Sequence, residues 1–277
     1  MGDFGQLPPV TMAGKKRDWC FLHEVWKKTN FINYQLKYNQ RVQESEYLEV
    51  LDQVRTGKLN AKARDFLNSR VKIHNEDDPG TRLFPRRDQS EFYNQKKLNE
   101  INQDEHIIPS IYLGEEKFIT SLKKNAPVPD ELKLKKDCRV LFLKNDAQKR
   151  YVNGTRGTVV HIDSDHIIVK KDLRDRAGFG REIKVEKMQF SLLDADGNIK
   201  ASVIQFPLAL AYATTIHKSQ GATIDELWCD LSSLWEPGQA YVALSRLRDS
   251  SGLHIVRWSE RSIITDPAVS LFYSQMG

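Results

Sequence analysis

Cysteine is scarce in these 277 residues: Cys20, Cys138 and Cys229 stand far apart, with no C-x-x-C pair among them, and the seven scattered histidines form no H-E-x-x-H. A zinc site and a disulfide framework are both argued against, and a reducing, intracellular setting is expected, cytoplasmic, nucleoid-associated or nuclear. Long apolar runs are missing too: none approaches the roughly 18 to 20 residues that a membrane-spanning helix needs, and the N-terminus lacks the charged-then-apolar order of an export signal. No membrane role is expected. Internal repeats and low-complexity tracts are absent, which argues against solenoids and disordered linkers. A strong excess of charge is lacking as well. Lys and Arg number 42 against 37 Asp and Glu, a formal net charge of +5. That balance mildly favours a polyanionic partner and is equally that of an ordinary basic protein.

What is present is a chain long enough for one large domain or two modest ones. Its character changes several times. Met1 to about Asn30 opens on the loop-like GDFGQLPPV and continues into WCFLHEVW, where Trp19, Leu22, Val25 and Trp26 follow helical spacing. Glu44 to Arg55 sets Tyr47, Leu48, Leu51 and Val54 on one helical face before Gly57, and Asn60 to Arg70 repeats the pattern behind an Asn cap. TRLF, Thr81 to Phe84, reads as a short strand, followed by a helix with Asp88 as cap. From Cys138 the text turns to short strands at close spacing, CRVLFL, GTVVHI and HIIVKK, with turn signals between them, as a small barrel would need. After Pro207 the α/β rhythm returns with LALAYAT, ELWCDL, the helix-like GQAYVALSR, the strand GLHIVR and a last helix from Pro267.

The densest hydrogen-bonding stretch is TTIHKSQGATID, Thr214 to Asp225, directly after the apolar run PLALAYA. That run reads as a strand hidden on both faces of a parallel sheet, and ligands of such sheets gather at the carboxyl ends of the strands. Thr214 to Gly221 therefore reads as a site. Gln6 projects from a glycine-flanked, proline-closed turn. Such a neutral amide can orient water or sense a phosphate oxygen, although on composition alone a plain Gly/Pro turn is the first reading. LKLKK, whose cations run from Lys133 to Lys136, is basic and reads as a solvated face ahead of an electrostatic aid to a polyanion.

Taken together, GDFGQLPPV, LKYNQR ending at Arg41, LKND with VNGT, TIHKSQGAT and YVALSR resemble the later motifs of superfamily 1 helicases of the 5′-to-3′ branch, most closely the petite-integration-frequency type and its RecD-like relatives. The resemblance covers nearly the whole chain in order. It implies an α/β fold: a RecA-like second helicase lobe, mostly parallel sheet with flanking helices, with an inserted Src-homology-3-like β-barrel. Residues 1–30 would be the tail of the first lobe, 31–154 with 206–277 the second lobe, and 155–205 the barrel. It also implies roles. Gln6 would couple the terminal phosphate of ATP to DNA, and Arg41 and Arg246 would act as arginine fingers on that phosphate. Relatives commonly carry an aromatic residue before the first of these arginines and Gln after it, where this chain has Gln40 and Val42. Gln220 and Gly221 would face the nucleotide. Thr215, His217, Lys218 and Ser219 would face single-stranded DNA, with Lys144, Asn145, Asn153 and Thr155 lining the same path.

No G-x-x-x-x-G-K-[ST] loop occurs anywhere, and no acidic run precedes Gly2. The resemblance places both ahead of the first motif present here. The chain is thus expected to be the C-terminal portion of an ATP-dependent DNA helicase, inactive as an ATPase alone, monomeric, and partnered by an N-terminal RecA-like lobe that supplies the Mg²⁺ ligands. A non-catalytic single-strand-binding or regulatory module is the other expectation; intact Gln6, Arg41 and Arg246 speak for the first.

Overall fold

The computed structural model describes residues 2–9, 17–32, 34, 36, 39–73, 75, 78–172 and 181–275. Val10 of the opening loop, and Lys37 and Tyr38 of LKYNQR, lie outside the described residues. The chain forms two compact units, Met1–Ser90 with Thr214–Gly277, and Glu91–Ala213. No described helix is long and apolar enough to cross a membrane.

The first unit is built on a four-stranded sheet whose order is Ala213–Thr215, Thr81–Phe84, Leu227–Leu231, Leu253–Trp258. Thr81–Phe84 runs parallel to Leu227–Leu231, which runs parallel to Leu253–Trp258. Leu83, Leu227, Cys229, Leu231, Leu253 and Ile255 of these strands are buried with the helix residues Tyr47, Val50, Leu51, Val54, Phe66 and Leu67. The spacing of Tyr47, Val50, Leu51 and Val54 gives Ser45–Thr56 one apolar stripe, and the helix stops at Gly57, whose φ of 68° is left-handed. The Asn60 side chain caps Ala61–Ser69 by accepting from Ala63 N at 2.9 Å. Tyr47 Oη donates to Leu244 O at 2.7 Å, tying Ser45–Thr56 to Gln239–Leu244. Burial pushes this phenol's pKa above its usual value.

The second unit is antiparallel. Its main sheet has the order Leu208–Leu210, Arg139–Phe142, Arg156–Ile162, His166–Lys171, Glu182–Glu186. Alternation places Val140, Phe142, Val159, Ile167, Val169, Ile183 and Val185 in one core with Leu132, Leu134 and Phe206. A three-stranded sheet, Ile111–Gly114, Ile199–Gln205, Met188–Leu193, packs beneath the helix Glu116–Asn125 around Leu122, Val128 and Val203. Within LKLKK, Leu132 and Leu134 point inward while Lys133 remains half-buried.

Several sequence expectations change. The run PLALAYA is two strands, not one: Leu208–Leu210 pairs antiparallel with Arg139–Phe142, and Ala213–Thr215 reaches the edge of the parallel sheet. The break is held by side chains. Arg139 N donates to Tyr212 Oη at 3.0 Å, and Asn94 grips Ala213 at both N (2.8 Å) and O (2.9 Å). WCFLHEVW is likewise broken, into the 3₁₀ turn Cys20–Leu22 and the helix Glu24–Thr29, because His23 is extended and its Nδ1 accepts from Val25 N. Trp19 and Phe21 are buried with Phe4 and Phe272, and Leu22 and Val25 face solvent. Asp88 lies in the first turn of Arg87–Asn99. The antiparallel unit is wider than residues 155–205, since Arg139–Phe142 pairs with Arg156–Ile162 and Glu131–Leu134 with His106–Pro109.

Candidate functional site

In the first unit the opening loop is wound around Asp3. Gly5 N donates to Asp3 Oδ1 at 3.0 Å, Tyr273 Oη donates to the same oxygen at 3.0 Å, and Gln6 N donates to Asp3 O at 3.2 Å. Gly238, the residue capping Gln239–Leu244, presses on this loop: a Cβ there would lie 2.4 Å from Gln6 O. Gln6 is thereby aimed across to the late motif, where its Oε1 accepts from Gln220 Nε2 at 3.0 Å.

The late motif is a tight turn. Ser219 N donates to Thr215 O, Gln220 N to His217 O and Ala222 N to Ser219 O. Two of the hydroxyls expected to face the strand have partners within the turn. The Ser219 hydroxyl donates to Ile216 O at 2.8 Å in a residue only 1 % exposed, and Thr215 Oγ1 accepts from Lys218 N at 3.1 Å in a buried position. Both hydroxyl oxygens take part in the turn and help to hold the loop's shape. His217, Lys218, Gln220 and Gly221 form its exposed crest.

The two arginines meet on Ser245. Arg41 Nη1 donates to Ser245 O at 2.7 Å and its Nε to Thr223 Oγ1 at 3.2 Å. Arg246 Nη2 donates to Ser245 Oγ at 2.7 Å, its Nε to Val242 O at 2.8 Å and its Nη1 to Ser219 O at 3.5 Å. Arg246 is 2 % exposed and folds inward among neutral acceptors. Burial above all, then the charge of Arg41, lowers the Arg246 pKa to about 10; Tyr241 and Asp3 pull it back. Arg41 is lowered too, chiefly by burial. Two guanidinium groups whose acceptors are uncharged, one of them desolvated, favour the arrival of an anion. The donor set therefore fits a polyphosphate. Asp3, Thr223, Tyr241 and Ser245 were not singled out in the sequence, although each sits inside or beside a motif that was.

Lys144, Asn145, Asn153 and Thr155 gather in the second unit. Asn153 N donates to Asn145 Oδ1 at 2.8 Å, Val152 N donates to Thr155 Oγ1 at 3.0 Å, and the loop is braced by Arg150, which grips Asp146 through Nε at 2.8 Å and Nη2 at 2.9 Å. Arg150 holds the Asp146 carboxyl down to about 2.

A parallel sheet that presents paired arginines to a glutamine-bearing loop, and that is interrupted by a small antiparallel unit, defines the second RecA-like lobe of a helicase. Residues 117–162 match the family model described as DNA helicase Pif1, 2B domain. The chain is 58% identical over 275 residues to the ATP-dependent DNA helicase Pif1 of Bdellovibrio bacteriovorus, covering 99% of this chain and 61% of that protein. It superposes on the Pif1 helicase of Candida albicans with a TM-score of 0.81 at 32% identity, covering 100% of this chain and 68% of that one. With Pif1 from Bacteroides in complex with ADP-AlF3 and ssDNA the TM-score is 0.71 at 30% identity, over 99% of this chain and 65% of that one. The chain belongs to the Pif1 family of DNA helicases. It spans about three fifths of the length of the Bdellovibrio relative.

Proposed function

We propose that this chain is the C-terminal motor portion of an ATP-dependent 5′-to-3′ DNA helicase, working inside the cell as a monomer. It is joined to a first lobe that carries the phosphate-cradling loop and the Mg²⁺ ligands, with residues 1–30 as that lobe's tail. The observation that carries the reading is the Gln6–Gln220 hydrogen bond beside Arg41 and Arg246. Residues more than 200 positions apart converge there, and their chemistry is that of an anion site. ATP bound there supplies the free energy of its terminal phosphoanhydride bond. Arg41 and Arg246 bind the oxygens of that phosphate, Arg246 exchanging neutral carbonyl acceptors for charged ones. Gln6 and Gln220 orient it, with Gly221 allowing close approach. Because Arg246 Nη1 donates to Ser219 O, and His217 and Lys218 stand on the same turn, what the guanidinium holds is felt by the strand-facing crest. His217 and Lys218, together with Lys144, Asn145, Asn153 and Thr155, receive backbone phosphates of single-stranded DNA.

The test is phosphate release by the complete two-lobe protein. Arg246→Ala lowers the DNA-stimulated rate by roughly 10³- to 10⁵-fold, the range measured for arginine fingers. Single-strand affinity measured without nucleotide stays nearly constant, because the guanidinium acts on charge that develops in the reaction. A rate near that of the wild type removes the assignment. Arg246→Lys keeps the charge but loses the planar fork, and falls between the two.

A further inference from the structure

The second unit carries a cleft of about 360 Å³ between the helix Glu116–Asn125 and the strand Met188–Leu193. Its walls are apolar, from Leu122, Pro127 and Phe190, and its rim carries Ser121, Asn125 and Lys144. The Lys144 ammonium lies 5.1 Å from the centroid of the Phe190 ring. Phe190 is opposite Val203, and Val203 is opposite Tyr112 on the next strand, whose ring has Lys123 Nζ at 5.2 Å. The helix-covered face of this sheet thus carries two partly buried aromatic rings on either side of the buried Val203, each with an ammonium beside it. Asn125 Nδ2 donates to Ser121 O at 3.0 Å, which fixes its amide plane at the rim.

An aromatic floor, an amide and a hydroxyl at the edge, and a cation at the mouth match the three faces of a nucleotide: flat ring, polar base edge and phosphate. The volume lies within the roughly 300 to 1,000 Å³ of small-ligand clefts. Exposed strand-binding loops hold phosphates; a recessed ring is suited to a base. We propose that this cleft receives one unstacked base of the bound single strand on Phe190, with Lys144 on the adjoining phosphate. The proposal rests on the strand-binding reading above and adds to it a fixed register point on the second unit. It predicts tolerance of sequence, since every base has a π-face, with Asn125 supplying what preference there is.

The experiment walks a single 2-aminopurine along an otherwise oligo-dT strand bound to the complete two-lobe protein. One position is quenched in the wild type, and Phe190→Leu, which keeps the apolar volume, abolishes that quench and lowers affinity roughly five- to hundred-fold. Phe190→Tyr retains the quench. Lys144→Gln leaves the quenched position in place and reduces the slope of log affinity against log salt by about 0.7. Strand binding that is intact in both variants, with an unchanged quench and salt slope, overturns the cleft and removes Lys144 from the strand path, while the rest of the strand-binding reading stands. No strand binding by the wild type overturns both. Saturation of the cleft by free dTMP, competing with no part of strand binding, identifies a mononucleotide site and likewise overturns the proposal. If Phe190→Leu does not fold, Lys144→Gln decides: an unchanged salt slope refutes it.

Discussion

Gly238 and Gly221 have nearly the same backbone conformation, φ of 81° and 84°, in opposite surroundings. Nothing lies within 4 Å of the Cβ that alanine would add at Gly221. At Gly238 the added atom would stand 2.4 Å from Gln6 O, 2.6 Å from Gln6 C and 2.9 Å from Gly5 O, all of them backbone atoms that cannot rotate away. Gly221→Ala therefore costs only the left-handed conformation of a residue with a Cβ, about 1 to 2 kcal/mol. Gly238→Ala costs the same plus the displacement of the loop. Moving Gln6 O from 2.4 Å to an ordinary contact at 3.4 Å needs about 1 Å, and forced overpacking of this kind costs typically about 1 to 3 kcal/mol more. The sum is about 2 to 5 kcal/mol. Urea unfolding measures it as a fall in midpoint at constant slope. The same shift stretches the 3.0 Å hydrogen bond between Gln6 and Gln220 beyond bonding range, and a misplacement of that size at a catalytic centre can cost about 10²-fold in rate. Gly238→Ala is thus expected to lose stability and ATPase rate together. Equal stability losses for the two alanine variants, within about 0.5 kcal/mol, would refute the reasoning, because they would show that the loop does not rest on Gly238.

Much of this site could be read from the sequence because its geometry is local. TIHKSQG closes on itself through bonds between residues three or four apart, and YVALSR runs off the end of the six-residue helix Gln239–Leu244, which delivers Arg246 beside that turn. The Gly57 stop and the Asn60 cap are local for the same reason. What could not be read depends on partners distant in sequence. An apolar run such as PLALAYA has the same pattern whether its neighbour is parallel or antiparallel, and its division is decided by Asn94 and by the pairing of Leu208–Leu210 with Arg139–Phe142. Hydroxyls are ambiguous in another way. Thr215 and Ser219 have the right chemistry for a phosphate, but a tight turn offers them its own amides and carbonyls at no cost in desolvation, and those partners win. Asp3 escaped notice because a single carboxylate in a Gly/Pro loop carries no pattern; its role as the hub of that loop appears only when Tyr273, from the other end of the chain, donates to it.

Two predictions remain. Lys218→Ala, on the exposed crest, weakens single-strand binding about equally across unrelated sequences and reduces the slope of log affinity against log salt by roughly 0.7, one counterion's share on a single strand; anisotropy titrations at several salt concentrations check it, and an unchanged slope removes Lys218 from the backbone contacts. The last concerns the Asp146–Arg150 pair beneath Asn145 and Asn153, where the guanidinium holds the carboxyl at about 2, below its ordinary value near 4. A carboxyl depressed in the folded state contributes stability that is present above its unfolded pKa and is lost as pH falls through the folded one. The contribution is therefore whole above about pH 4 and fades between 4 and 2. Asp146→Asn removes it at every pH, so the gap in urea midpoint between wild type and variant stands at neutral pH and closes as pH approaches 2. A gap that stays constant across that window would mean that the pair is held by packing and by the neutral part of its hydrogen bonds, and that the charge on Asp146 does not brace the loop.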